Sequence, residues 1–241
     1  MTLKYRTKGF VFKKNDINES DRVFSVFTED FGRIEVRARA LRKIISKLRA
    51  DVDIFYFSEI EFIQGKNMKT LTDAVKIKKS ESLYKNLRKL KVACQISDLL
   101  DDFLKGQESD KKIFVLIEEF FNDLDKVADV KNDDLVFQYF FWNFVFLQGY
   151  KLEAETCALC REKINPYSIY FSAKNGGVMC ENCFLKAREG IKINSDTVKT
   201  LRLIFKKDWQ TFSRLKMELQ SKMMLKEVLE DAMHTFSPIH N

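Results

Sequence analysis

Arg22-Val-Phe-Ser-Val-Phe-Thr-Glu-Asp-Phe-Gly-Arg-Ile-Glu-Val-Arg-Ala-Arg39 decides how the first third of this chain folds. In its second half Ile34, Val36 and Ala38 alternate with Arg33, Glu35, Arg37 and Arg39. That period of two puts one set on the inner face of a strand and the other in solvent. Glu29-Asp30-Phe31-Gly32 supplies a polar turn between two such strands. Residues 10–12, 53–63 and 68–77 read as further strands, the last two separated by Gln64-Gly65-Lys66-Asn67. Five short strands in so little chain predict a small closed or partly open barrel, the OB-fold among others, over residues 1–79. In the fourth strand Ile54, Tyr56, Ser58, Ile60 and Phe62 share one face, and Phe55, Phe57, Glu59, Glu61 and Ile63 the other. Apolar groups on both faces at its start predict that one side packs against another domain.

After Ser80 the period changes to that of helices. Leu83, Leu87, Leu90, Cys94 and residues 96–103 follow helical spacing, as do residues 113–124. Residues 135–147 are apolar all round, which predicts the central helix of a bundle. Two more helices are expected over 195–209, with Ser195 as N-cap, and 213–236. The predicted fold class is therefore α+β and multidomain. An N-terminal five-stranded OB-fold barrel (1–79) precedes a C-terminal helical bundle (80–241) interrupted by a four-cysteine zinc knuckle at about 154–186.

The knuckle consists of Cys157-Ala-Leu-Cys160 and Cys180-Glu-Asn-Cys183. Two thiolates three residues apart can reach one ion, and four close a tetrahedron to water, so a structural Zn²⁺ is expected on Cys157, Cys160, Cys180 and Cys183. Gly176-Gly177 offers the tight return that brings the second pair to the first. Reduced thiols, two disulfides or an iron–sulfur cluster are the competing readings. Cys94, alone on an apolar helix position, is expected to be a buried thiol.

The 241 residues carry a formal net charge of +7. Residues 1–79 hold 18 Lys+Arg against 11 Asp+Glu, and residues 80–241 hold 24 of each, so the whole excess lies in the first third. A localised positive field attracts polyanions, of which nucleic acid is the commonest. Its densest part is Arg33, Arg37, Arg39, Arg42, Lys43, Lys47 and Arg49, opposed only by Glu35. These seven are the candidate nucleic-acid-binding residues, reading phosphates rather than bases. Lys13, Lys14, Lys66 and Lys69 can extend the stripe, and Tyr56 or Phe57 can add stacking.

Other classes find little support. The only histidines, His234 and His240, lie near the end. No glycine-rich phosphate loop is present, and no acid, base and oxyanion donor come together, so neither catalysis nor a small-molecule substrate is expected. No apolar stretch reaches the roughly 20 residues that a bilayer crossing needs. The opening residues lack the apolar core of a signal peptide, and paired CxxC motifs suit a reducing compartment; a cytoplasmic protein is expected.

The pattern resembles the RecO recombination mediators of bacterial DNA repair. The resemblance rests on Lys8-Gly-Phe-Val-Phe-Lys-Lys14, on Asn18-Glu-Ser-Asp-Arg-Val-Phe-Ser-Val-Phe-Thr28 with Gly32, and on Arg42, Lys43, Ser46, Lys47 and Leu48. Gly65-Lys-Asn-Met-Lys-Thr-Leu-Thr-Asp-Ala74 resembles the hairpin that ends the family's barrel, and the cysteine module sits in a helical domain as in many members. One departure is Ala40, where the family pattern has glycine. The resemblance implies binding of single- and double-stranded DNA and annealing of complementary strands coated with single-strand-binding protein. It also implies recombinase loading with RecR, in the cytoplasm at the nucleoid. An RNA-binding or ribosome-associated OB-fold protein, or a protein–protein scaffold, remain the alternatives that the residues themselves allow.

Overall fold

A computed structural model describes residues 3–42, 46–106 and 108–236, with the backbone alone at Lys47. Its first five strands are β1 (Lys4–Asp16), β2 (Arg22–Thr28), β3 (Gly32–Ala38), β4 (Tyr56–Gln64) and β5 (Lys69–Lys79). They pair in the order β1-β2-β3-β5-β4, and β4 returns to β1, so the sheet closes on itself. All neighbours are antiparallel except β3 and β5, joined in parallel at Val36–Lys69 and Arg37–Thr70. This is the connectivity expected of an OB-fold. A one-turn 3-10 helix, Lys47–Ala50, lies between β3 and β4.

The alternation read from sequence fills the ring. Val11, Phe24, Val26, Ile34, Val36, Ala38, Ile60, Phe62 and Leu71 are buried together inside it. Phe10 and Phe12, on the other face of β1, are equally buried. Of the helices that follow, α1 (Glu81–Lys85), α2 (Leu87–Phe103) and α3 (Lys111–Lys126), the last two cover them. The Phe10 ring lies 4.7 Å from Phe121 of α3, and Phe57 meets Phe114 and Phe121 edge-on. Ser97 of α2 donates to the Phe12 carbonyl. The two-faced apolar start of the fourth strand thus has its partner in α3. The strand itself begins at Tyr56 rather than residue 53, because Phe55 takes φ 62° and its N–H is held by Val11 O at 2.7 Å. These elements form one compact unit, residues 1–133.

The second unit, residues 134–241, contains almost all of α4 (Asp133–Leu147). Eleven of its side chains, Leu135 to Val145, are buried, as the all-round apolar pattern predicts. Trp142 packs edge-on against Phe171 and Phe205, and Tyr139 against Trp209. A three-stranded antiparallel sheet follows, order β7-β6-β8, from β6 (Ile169–Ser172), β7 (Gly177–Cys180) and β8 (Ile191–Ile193). The helices around it are α5 (Glu181–Ala187), α6 (Ser195–Phe205), α7 (Trp209–Ser213) and α8 (Leu219–Phe236).

Three local expectations are corrected. Asn194, not Ser195, caps α6: its side chain accepts the Thr197 N–H, while the Ser195 hydroxyl turns to Pro166 O. The helix expected to reach 209 stops at Phe205, because Lys207 enters the left-handed region (φ 57°) and Asp208 caps a new helix. Cys94 is exposed. The buried stripe of α2 runs through Lys89, Val92, Ala93, Ile96, Leu99 and Leu100, so a helix counted from Leu87 and Leu90 is rotated by one position.

Candidate metal centre and nucleic-acid interface

In the second unit the four module cysteines come to one point, their sulfurs all within 4.8 Å of one another. The local backbone explains how. The first pair sits on a tight turn closed by Cys157 N to Glu162 O (2.9 Å) and Arg161 N to Cys157 O (2.9 Å), with Arg161 left-handed at φ 66°. Cys180 ends β7 and precedes the first turn of α5, from which Cys183 points back. The β6–β7 hairpin turns at Gly176, where Gly176 N meets Ala173 O at 3.1 Å. Gly177 then passes so close to Glu153 that a Cβ there would lie 2.2 Å from its carbonyl oxygen. Glu153 N to Gly176 O, Val178 N to Glu153 O and Ala158 N to Val178 O latch the first turn onto the hairpin. The expected glycine return is present, and its second glycine is needed for close approach as much as for the turn.

The electrostatics favour a cation. Burial pushes the Cys157 thiol up, but N–H groups of Cys160, Cys180 and Leu159 aimed at its sulfur more than offset this and bring it down to about 6. Cys183 is pushed up to about 12 by burial and by contact with the other three sulfurs. Cys160 has one backbone N–H lowering it, yet burial and its neighbouring thiols leave it raised. One thiolate among crowded thiols is a donor set that a divalent ion would complete, releasing the remaining protons. The residues fit a metal.

The first unit holds the seven basic candidates, and it separates them. Arg33 is nearly enclosed: its guanidinium meets Asp101 Oδ1 at 2.5 Å, donates to the carbonyls of Asp101 and Leu104, and lies 5.4 Å from the Phe12 ring centroid. It ties β3 to the end of α2. Arg37 is paired through Nε and Nη2 with Asp21. Asp21 also accepts the Ala40 N–H (2.8 Å), and these contacts, the backbone one first, bring its carboxyl down to about 2. Arg42 reaches Asn18 O at 3.0 Å and Asp16 at 3.7 Å and is otherwise open. Arg39 and Arg49 are exposed, with no side-chain hydrogen bond or ion pair to any described residue. Arg49 and Arg42 line a cleft of ≈ 340 Å³ with Arg22, Leu41, Val52 and Asp53. Lys43 lies outside the described residues; Lys47 is in the 3-10 turn, and its side chain is not described.

Of the four extending lysines, Lys13 pairs with Asp101 and Lys14 with Asp53, whereas Lys66 is exposed and Lys69 sits beside Val36 where the ring closes. Phe57 is buried against α3, so its ring is not available for stacking; Tyr56 remains half-exposed. Residues not foreseen for this face are Asn18, Asp21 and Arg22. Asn18 Oδ1 accepts the N–H groups of Ser20 and Asp21, making a side-chain-closed turn that aims Asp21 at Arg37 and Ala40. The signal was the Asn18-Glu-Ser-Asp-Arg22 motif itself, which is polar and short because it organises the entry to the basic loop. Ala40 enters that loop at φ 53°, the left-handed region where glycine is favoured.

A closed five-stranded ring joined to a helical part with a four-thiol cluster defines a two-part protein of the OB-fold kind. The family models described as Recombination protein O N terminal and Recombination protein O C terminal match residues 1–79 and 84–235, and the chain belongs to this family, RecO. It is similar to the DNA repair protein RecO of Dehalococcoides mccartyi, 30% identical over 223 residues, covering 92% of this chain and 87% of that one. It is also similar to those of Halalkalibacterium halodurans (24% over 236 residues, 98% and 91%) and Listeria innocua (23% over 235 residues, 98% and 90%). No described helix is long and apolar enough to cross a membrane.

Proposed function

We propose that this chain is a non-catalytic DNA repair and recombination mediator of the cytoplasm. It binds single- and double-stranded DNA, anneals complementary strands and helps load the recombinase onto strands covered by single-strand-binding protein, with RecR as partner. Family membership supports the process. The observation that carries the DNA contact is the segment that follows β3, where Arg39 is exposed just past the strand and Arg42 and Arg49 line one cleft, with no more than partial neutralisation. Exposed guanidinium groups spread along this segment suit the regularly spaced charges of a phosphate backbone and release its counterions. Lys43 and Lys47 belong to the same segment. Arg33 and Arg37 act in this reading as supports that hold β3 and the loop.

The metal is zinc, held by Cys157, Cys160, Cys180 and Cys183. A tetrahedron with arms of about 2.3 Å has edges of about 3.8 Å, and Cys160 and Cys180 sulfurs already lie 3.7 Å apart. Four protein ligands leave no position for substrate, so the ion braces the second unit.

The test is a salt series. Arg39→Ala with Arg49→Ala should weaken binding to all single-stranded DNA sequences alike. It should flatten the slope of log K against log salt by about 1.4, roughly 0.7 per lost contact. Affinity and slope both at wild-type values would remove the physical basis of this reading, and preferential binding of a matched RNA would redirect it to the ribonucleic-acid alternative.

A further inference from the structure

A second feature of the first unit, on β4 and β5, is not used by the basic loop. Tyr56 opens β4 opposite Lys79 of β5. The bulge between Phe57 and Ser58 marks where the ladder shifts. Phe57 goes under α3, while Tyr56 turns the other way and stays half-exposed. The ammonium groups of Lys76 and Lys79 each lie 5.9 Å from the Tyr56 ring centroid, and Lys79 lies 5.7 Å from that of Tyr84. Tyr84 is 47% exposed, and its hydroxyl donates to Ile54 O at 2.7 Å, which fixes the ring as a plate on the surface. Neither Lys76 nor Lys79 makes an ion pair with a described carboxylate. Lys76 also joins this patch to the basic turn: its Nζ reaches Ala50 O and its N–H reaches Asp51 Oδ1, both at 3.4 Å. Arg49 is thus the next residue along the same surface.

We propose that Tyr56 and Tyr84, with Lys76 and Lys79 between them, form a stacking platform for unpaired bases of a single DNA strand whose phosphates continue onto Arg49. The inference rests on the DNA-binding reading above and adds to it a preference for single strands. The chemistry selects the ligand. Unmatched lysines favour a polyanion, and exposed ring faces beside them offer π surface to bases. A duplex keeps its base faces stacked inside and offers none. On binding, the lysine heads exchange their distant ring contacts, near the roughly 6 Å limit of a cation–π interaction, for phosphate oxygens.

The experiment compares the full-length protein with a Tyr56→Leu, Tyr84→Leu double variant on three ligands. These are an oligodeoxythymidine, an abasic phosphodiester strand of equal length, and a duplex. Stacking predicts a loss of about tenfold or more on thymidine, with abasic-strand and duplex affinities unchanged. Tyr56→Phe keeps its ring and leaves the Tyr84 hydroxyl on Ile54 O, so it should bind thymidine as wild type does, which separates stacking from a folding defect. No loss on thymidine, an equal loss on the abasic strand, or an equal loss in the phenylalanine variant would each overturn the platform. If Arg39→Ala with Arg49→Ala weakens all three ligands while the leucine variant changes none, the DNA-binding reading stands and this inference alone falls.

Discussion

The cysteine module and the basic end of the ring are both short runs of one residue type, and they obey opposite rules. Four cysteines point inward to a single locus, within 4.8 Å of one another. The arginines of residues 33–49 point outward from a strand and a loop and meet different surroundings. An inward site is defined by its own spacing, because ligands that must share one ion restrict the backbone between them. An outward site is defined by whatever else covers the surface. Arg33 and Arg39 make the point within one strand region: they have the same type and the same face. The first is enclosed by Asp101, Leu104 and Phe12, and the second is exposed.

The largest effect that would sharpen this contrast is at the inward site. Cys180→Ser, or removal of the ion by a strong chelator, should destabilise the second unit by at least about 3 kcal/mol, because metal binding there is folding free energy. Both tryptophans, Trp142 and Trp209, lie in that unit, so denaturant unfolding followed by their fluorescence reads it directly. Elemental analysis of reduced protein should find about one zinc per chain; finding neither zinc nor iron would break the comparison at its stronger side.

A smaller effect separates the two arginines. Arg33→Ala removes three charge-assisted hydrogen bonds and leaves Asp101 with Lys13 alone, so stability of the first unit should fall by about 2 kcal/mol. The salt slope of DNA binding should stay as it is. Arg39→Ala should do the reverse, changing stability by less than about 0.5 kcal/mol while flattening that slope. Thermal unfolding and a binding salt series on the same two proteins would show it. Equal behaviour of the pair would mean that their surroundings do not matter.

The smallest effect concerns the entry to the basic loop. Ala40→Gly relieves a side chain held at φ 53°, and even with the extra freedom of glycine in the unfolded chain it should stabilise by about 0.5–1 kcal/mol. A calorimetric scan showing no gain, or a loss, would mean that the methyl group packs better than the backbone geometry indicates.

Much of this molecule is legible in its sequence alone. Strict alternation at Ile34, Val36 and Ala38 placed β3, since a strand with one wet face tolerates no other pattern. The unbroken apolar run of α4 announces a buried helix, and the CxxC spacing announces the cluster of four thiols. The helix ends were less legible. Asn194 and Ser195 are both good caps, and only the hydrogen bond to Thr197 N chooses between them. The face of α2 is not legible, because Leu87 and Leu90 suggest one stripe whereas Lys89 is buried with its ammonium on Ser82 Oγ and Asp125 O.

Sequence by itself therefore determined the class of each part, because periodicity and ligand spacing are local properties enforced within a few residues. Tertiary structure alone decided which arginines are supports and which are open, that α3 covers the start of β4, and that Tyr56 and Tyr84 share a surface with Lys76 and Lys79. Those outcomes depend on groups far apart along the chain, such as Arg33 and Asp101, and only the folded chain brings them within reach of each other's charge.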